Sequence, residues 1–143
     1  MAESERDKTQ RECEEILGEH RRIEALIHDI AGTGDMDTLA TELEGLVSLL
    51  TSHFAREESA EGLHAAIARD AAHAVPALDH LVSEHKVILA TVQDIMGRVI
   101  GGSVNPERIE KELEDLFAVL RDHEQQETDL FEEVVCMDEG GSG

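Results

Sequence analysis

Two stretches of this chain are written twice, and that repetition limits how its segments can be arranged. Residues 17–30, "LGEHRRIEALIHDI", match 82–95, "VSEHKVILATVQDI", at an offset of 65. Glu19/Glu84, His20/His85, Ile23/Ile88, Ala25/Ala90, Asp29/Asp94 and Ile30/Ile95 coincide. Residues 41–57, "TELEGLVSLLTSHFARE", match 111–127, "KELEDLFAVLRDHEQQE", at an offset of 70. Here Glu42, Leu43, Glu44, Leu46, Leu50, His53 and Glu57 pair with Glu112, Leu113, Glu114, Leu116, Leu120, His123 and Glu127. A pair of segments recurring at a changed offset is a two-element unit used twice, with a longer second connection.

The period inside each copy is helical. Thr9 to Glu12 reads as a capping box, and Ile16, Ile23, Leu26, Ile27 and Ile30 keep a 3.6-residue spacing until "AGTGD" interrupts it. A second helix is predicted from about Asp37 through Glu57 toward Gly62, and a third from Pro76, suited to a first turn, to Ile100. Asn105-Pro106 is an N-cap and first-turn pair for a fourth, reaching about Met137. The Ala-rich segment 63–74 reads as a helical turn or a connector. Long helices with short connections predict an all-α, antiparallel up-down-up-down four-helix bundle with a pseudo-twofold hairpin repeat. A single domain over 1–143 is expected, with its core in about 10–135 and a fraying tail at 138–143.

Three Phe and no Trp or Tyr leave the core to aliphatic residues. Twelve basic against thirty-three acidic residues give a formal charge of −21, which speaks against nucleic acid and anionic membranes as partners. No apolar run approaches a membrane span, and the N-terminal "MAESERDKTQRECEE" has no hydrophobic region, so a cytoplasmic location is expected. Histidine is over-represented, at eight in 143 residues against a typical share of roughly 2%.

The polar residues shared by the two copies account for half of those histidines. Each unit gives one His from its first helix and one HxxxE from its second, collecting His20, His53, Glu57, His85, His123 and Glu127. His20 keeps helical spacing with Ile16, Ile23 and Ile27, and His85 with Leu81, Ile88 and Leu89, so both point the way the core points. Any one of them alone reads best as a hydrogen-bonded core histidine. Six buried polar groups together cost several kcal/mol each unless paired or metal-bound. Imidazole with carboxylate suits Fe, Zn, Mn or Cu. Two His per ion with both glutamates bridging gives four protein donors each; a bridging oxo or hydroxo makes five and leaves a position open on an octahedral ion. A single tetrahedral Zn would strand two of the six.

The run "EH", "HFAREE", "EH" and "HEQQETDLF" across four helices resembles the hemerythrin-like, HHE cation-binding domain, over about residues 10–135. The resemblance implies a non-haem di-iron centre with Glu57 and Glu127 bridging two Fe ions; Zn or Mn stay open. Oxygen carriers of that family are expected to have a fifth ligand His, four residues before the third-helix His. That position is Leu81 here, and His80 is rotated roughly 140° from His85. The pattern is closer to the four-His, two-Glu set of proteins that repair or regulate iron centres, although their N-terminal cysteine segment is not seen.

Other residues read more plainly. His28 and Glu24 are expected at the surface, Glu58 turned away from Glu57, and Phe54 and Phe131 in packing. His64 and His73 fall in the connector, exposed unless it folds over the pocket. Cys13 and Cys136 differ in height by about 9 Å on straight helices and read as free thiols. The leading functional expectation is a di-iron protein, monomer or dimer, that binds or reacts with O2, NO or peroxide, or senses iron. A redox enzyme, oxidase-like or peroxidase-like and served by a redox partner, is an alternative that the absence of Tyr disfavours. A metal-free interaction bundle is the third.

Overall fold

The computed structural model describes residues 4–136, every regular element of which is helical. α1 spans Glu5–Ala31, α2 Met36–Glu58, α3 Leu63–Asp70, α4 Val75–Gly101 and α5 Pro106–Val134, with a 3-10 turn at Ala72–Ala74 before α4. The segment expected to be a turn or connector thus carries an eight-residue helix. The expected tail at 138–143 lies outside the described residues.

Local chemistry explains the boundaries. α1 starts earlier than the Thr9 capping box suggests, because Ser4 caps it: its Oγ accepts from the Asp7 N–H at 3.1 Å. Asp35 accepts from the Thr38 N–H at 3.0 Å, and Asn105 from that of Glu107 at 2.9 Å. Gly102, at φ +78°, closes α4 in the left-handed region that side chains disfavour. α5 stops at Val134, short of Met137.

The four long helices pack as a bundle in which α1 touches α2 and α5, and α4 touches the same two. The apolar faces of these helices and of α3 form two separate clusters. One gathers Leu43, Leu46, Leu50, Ile88, Val92 and Leu120; the other gathers Ile16, Leu63, Ile67, Leu78 and Phe131 around Cys13 and Cys136. Each buried Leu or Ile stabilises the fold by about 1.5–3 kcal/mol. Along α1, α4 and α5 the stretch between the clusters holds Glu19, His20, His85, His123 and Glu127, so a polar layer lies between two apolar ones.

Cys13 and Cys136 are not free thiols. They form a disulfide with Cα atoms 5.7 Å apart, and it is buried in the second cluster. Heights along straight helices do not apply, because Cys136 lies beyond the end of α5. Its N–H folds back to the Phe131 carbonyl at 2.6 Å, so the chain stops climbing 1.5 Å per residue.

Candidate metal centre

The HxxxE segments of α2 and α5 place Glu57 and Glu127 in the middle of the polar layer, each with 0% exposure. The i, i+4 spacing turns each glutamate toward its own histidine: His53 Nε2 is 3.3 Å from Glu57 Oε2, and His123 Nε2 is 3.3 Å from Glu127 Oε1. α1 and α4 supply the other two rings. His20 Nε2 is 3.5 Å from Glu57 and 3.4 Å from Glu127; His85 Nε2 is 3.3 Å and 3.1 Å from the same two carboxylates. All six residues singled out by the repeat are therefore together, with four Nε2 atoms turned toward two carboxylates.

The outward Nδ1 atoms are held as well. His53 Nδ1 is 2.8 Å from Glu19 Oε1, and His123 Nδ1 is 2.9 Å from Glu84 Oε1. The Glu of each "EH" thus orients the histidine of the HxxxE that follows it. His85 Nδ1 is 2.6 Å from Glu58 Oε2, and His20 Nδ1 is 3.1 Å from Thr128 Oγ1. Glu58 and Thr128 occupy matching places at the offset of 70. Turning away from Glu57 is what lets Glu58 reach the far side of His85. Beyond Glu19, Arg56 pairs with Glu12 at 2.7 and 2.9 Å and stands 3.5 Å from Glu19, tying α1 to α2.

Two further residues enter the layer. His64, on α3, is buried, with Nε2 3.6 Å from Glu127 Oε2, because α3 folds over the pocket instead of lying in solvent. Glu124 Oε2 is 2.9 Å from His20 Nε2 and 3.7 Å from His53 Nε2. The sequence signal for Glu124 was a departure from the repeat: its counterpart is Phe54. His64 has no counterpart, so the repeat was silent about it.

The others stand where expected. His28 and His73 are exposed; His80 points outward, 3.4 Å from Glu84; Glu24 pairs with Arg121 at the surface. Phe54 stacks on His85 with ring centres 3.9 Å apart, and Phe131 lies beside His64.

Charge in the layer is shared between imidazoles and carboxylates. Burial opposes a charged His20, but Glu124, Glu127 and Glu57 outweigh it and raise its pKa from 6.5 to about 12. Burial likewise opposes a charged His85, yet Glu127, Glu57 and Glu58 raise it to about 10. His53 and His123 are also raised by neighbouring carboxylates against burial. At Glu127 burial pushes upward, but His123, His20, His64 and His85 hold it well below the usual carboxylate range.

This pairing leaves much unsatisfied. Ten buried nitrogen and oxygen atoms of His20, His53, Glu57, His64, His123, Glu124 and Glu127 have no aligned hydrogen-bond partner among the described residues. Each such atom costs about 1–3 kcal/mol. Two sets of donors lie within 4.8 Å of one another: His20, His53, Glu124 and Glu127, and Glu57, His64, His85 and Glu127. Converging, buried imidazole and carboxylate atoms, in charge contact but without aligned hydrogen bonds, fit a metal site. Between α1 and α5 a cavity of about 380 Å³, lined in part by His20, Glu124 and Thr128, reaches this layer from the surface.

Comparison with known proteins agrees with that chemistry. The family model described as the hemerythrin HHE cation-binding domain matches residues 11–134. No curated protein and no solved structure matches the chain.

Proposed function

Because this chain belongs to the hemerythrin HHE cation-binding family, we propose that it holds two non-haem iron ions and uses them to bind or react with O2, NO or peroxide, or to sense iron. The observation that carries this reading is the set of buried, unpartnered Nε2 and carboxylate oxygen atoms around Glu57 and Glu127. His20 and His53 would hold one ion, His85 and His123 the other, and Glu57 and Glu127 both. Iron supplies such a site with a redox-active centre able to take a small ligand. The bundle reads as antiparallel with a pseudo-twofold between hairpins, which the matching offsets of Glu19–His53 and Glu84–His123 support.

The chain's own part is orientation, exclusion of water and proton holding. An Nδ1–H donated to Glu19, Glu84 or Glu58 fixes its ring and leaves Nε2 facing inward. The apolar clusters above and below shield the layer from solvent along the bundle axis. The cavity between α1 and α5 gives a small molecule its route to His20.

The test is metal analysis with an optical spectrum, on protein loaded anaerobically with Fe(II) and then exposed to air. Two irons per chain with near-UV oxo-bridge bands support the centre, and their reversal on removing O2 favours carriage. An intact helical fold that takes up no iron rejects the iron centre. His53→Ala should lose most of the metal; retention of both irons would remove that residue from the ligand set.

A further inference from the structure

We propose that the centre takes two donors the repeat does not supply. His64 would be a third imidazole on the side of His85 and His123, and Glu124 a carboxylate on the side of His20 and His53, so that the two metal positions are chemically unlike. This rests on the two-iron reading and extends its ligand set.

His64 is 7% exposed, and both of its ring nitrogens are buried without a hydrogen-bond partner. Its ring lies 5.7 Å from that of His85, and one of its nitrogens is within 4.8 Å of a donor atom from each of Glu57, His85 and Glu127. An imidazole with both nitrogens unpaired contributes less to a core than an apolar side chain of similar size. Metal ligation through one nitrogen removes that part of the penalty. Gly62 makes the placement possible: a Cβ there would overlap the carbonyl oxygens of Arg56 and Glu57, so the turn into α3 closes tightly over the end of α2.

Glu124 marks the place where the two halves differ. Its counterpart Phe54 covers one face of His85, whereas Glu124 puts a carboxylate against His20 and His53. Both of its oxygens are buried without an aligned partner. Counted with the shared Glu57 and Glu127, each ion would then have five protein donors, which leaves a single position on an octahedral ion for a bridging atom or a small ligand. The α1/α5 cavity is lined by His20 and Glu124 and not by His64, so a small molecule arriving through it reaches the Glu124 side of the centre.

The experiment loads the full chain, His64→Ala, His64→Asn and Glu124→Gln with ⁵⁷Fe(II) and reads retained iron against a graded chelator, with Mössbauer spectra. Wild type should give two unlike quadrupole doublets of equal area. Each His64 variant should weaken one iron by about tenfold or more and shift one doublet, with added imidazole restoring His64→Ala; Glu124→Gln should shift the other. Wild type showing two irons in one doublet, or variants that leave both affinities and both doublets unchanged, would overturn the inference and leave the six-ligand centre standing. Wild type that binds no iron removes both. A diffraction structure of the loaded wild-type chain gives a reading independent of variant folding. Nitrogen of His64 and oxygen of Glu124 at about 2.0–2.2 Å from metal support the assignment, and either one beyond ligating distance overturns it.

Discussion

Glu19 and Glu84 stand one step removed from the residues proposed as donors. Each accepts from the outer nitrogen of a histidine whose inner nitrogen faces the carboxylate pair. Replacing Glu19 by Gln should keep the fold but lower metal affinity by about 10–100-fold, as read by chelator competition; an unchanged affinity would mean that packing alone holds the His53 ring. The raised histidines have a signed pH consequence. Their folded pKa values exceed the unfolded 6.5, so their contribution to the metal-free fold is complete below about pH 6.5. It declines as pH rises, through about 10 at His85 and about 12 at His20. The metal-free melting temperature should therefore fall from pH 6.5 toward 10, less steeply in His20→Gln. Metal affinity should rise over the same interval, because loading displaces protons. A flat melting profile, or one with the same slope in the variant, would count against a charge-paired layer.

At the scale of elements, α3 is the helix without a repeat counterpart in the sequence. Its position depends on Gly62, where even a methyl group would meet backbone. Gly62→Ala should destabilise the chain by about 1–3 kcal/mol and weaken iron retention much as His64→Ala does. A variant with normal stability and normal retention would show that the turn yields easily. The same element marks the limit of what the sequence made legible. The helices holding His20, His53, His85 and His123 could be read because core spacing and polar spacing repeat together at fixed offsets. His64 could not, since an eight-residue helix has too few turns to display a period and no second copy to confirm it. Glu124 was visible only as a mismatch with Phe54, and a charged residue beside a histidine on a helix reads by default as solvated. The cysteine pairing is not legible for a different reason: helical rise does not continue past Val134, and the sequence carries no breaker there to show that α5 ends.

Over the whole molecule two global terms oppose each other. The formal charge of −21 makes the surface self-repelling. Added salt screens that repulsion, so metal-free protein should melt several degrees higher in about 0.5 M NaCl than at low ionic strength; no change would place the acids too far apart to matter. Against that, the Cys13–Cys136 bond joins residues 123 positions apart and restricts the unfolded chain. A loop of that length is worth about 4–5 kcal/mol in the chain-entropy treatment, and a Cys13→Ser, Cys136→Ser double variant should lose a comparable amount in denaturant unfolding. Disulfides of this kind are uncommon where thiols are kept reduced.

That bond also makes the molecule a closed ring from Cys13 to Cys136. All six repeat histidines and glutamates, along with His64 and Glu124, lie on its circumference. One cut in the connection around Ser103 would therefore open the ring without parting it. The nicked protein would run as one species without reductant and as two with it. New ends placed there leave every donor on a single covalent strand, so the chain lends itself to circular permutation with its polar layer undivided.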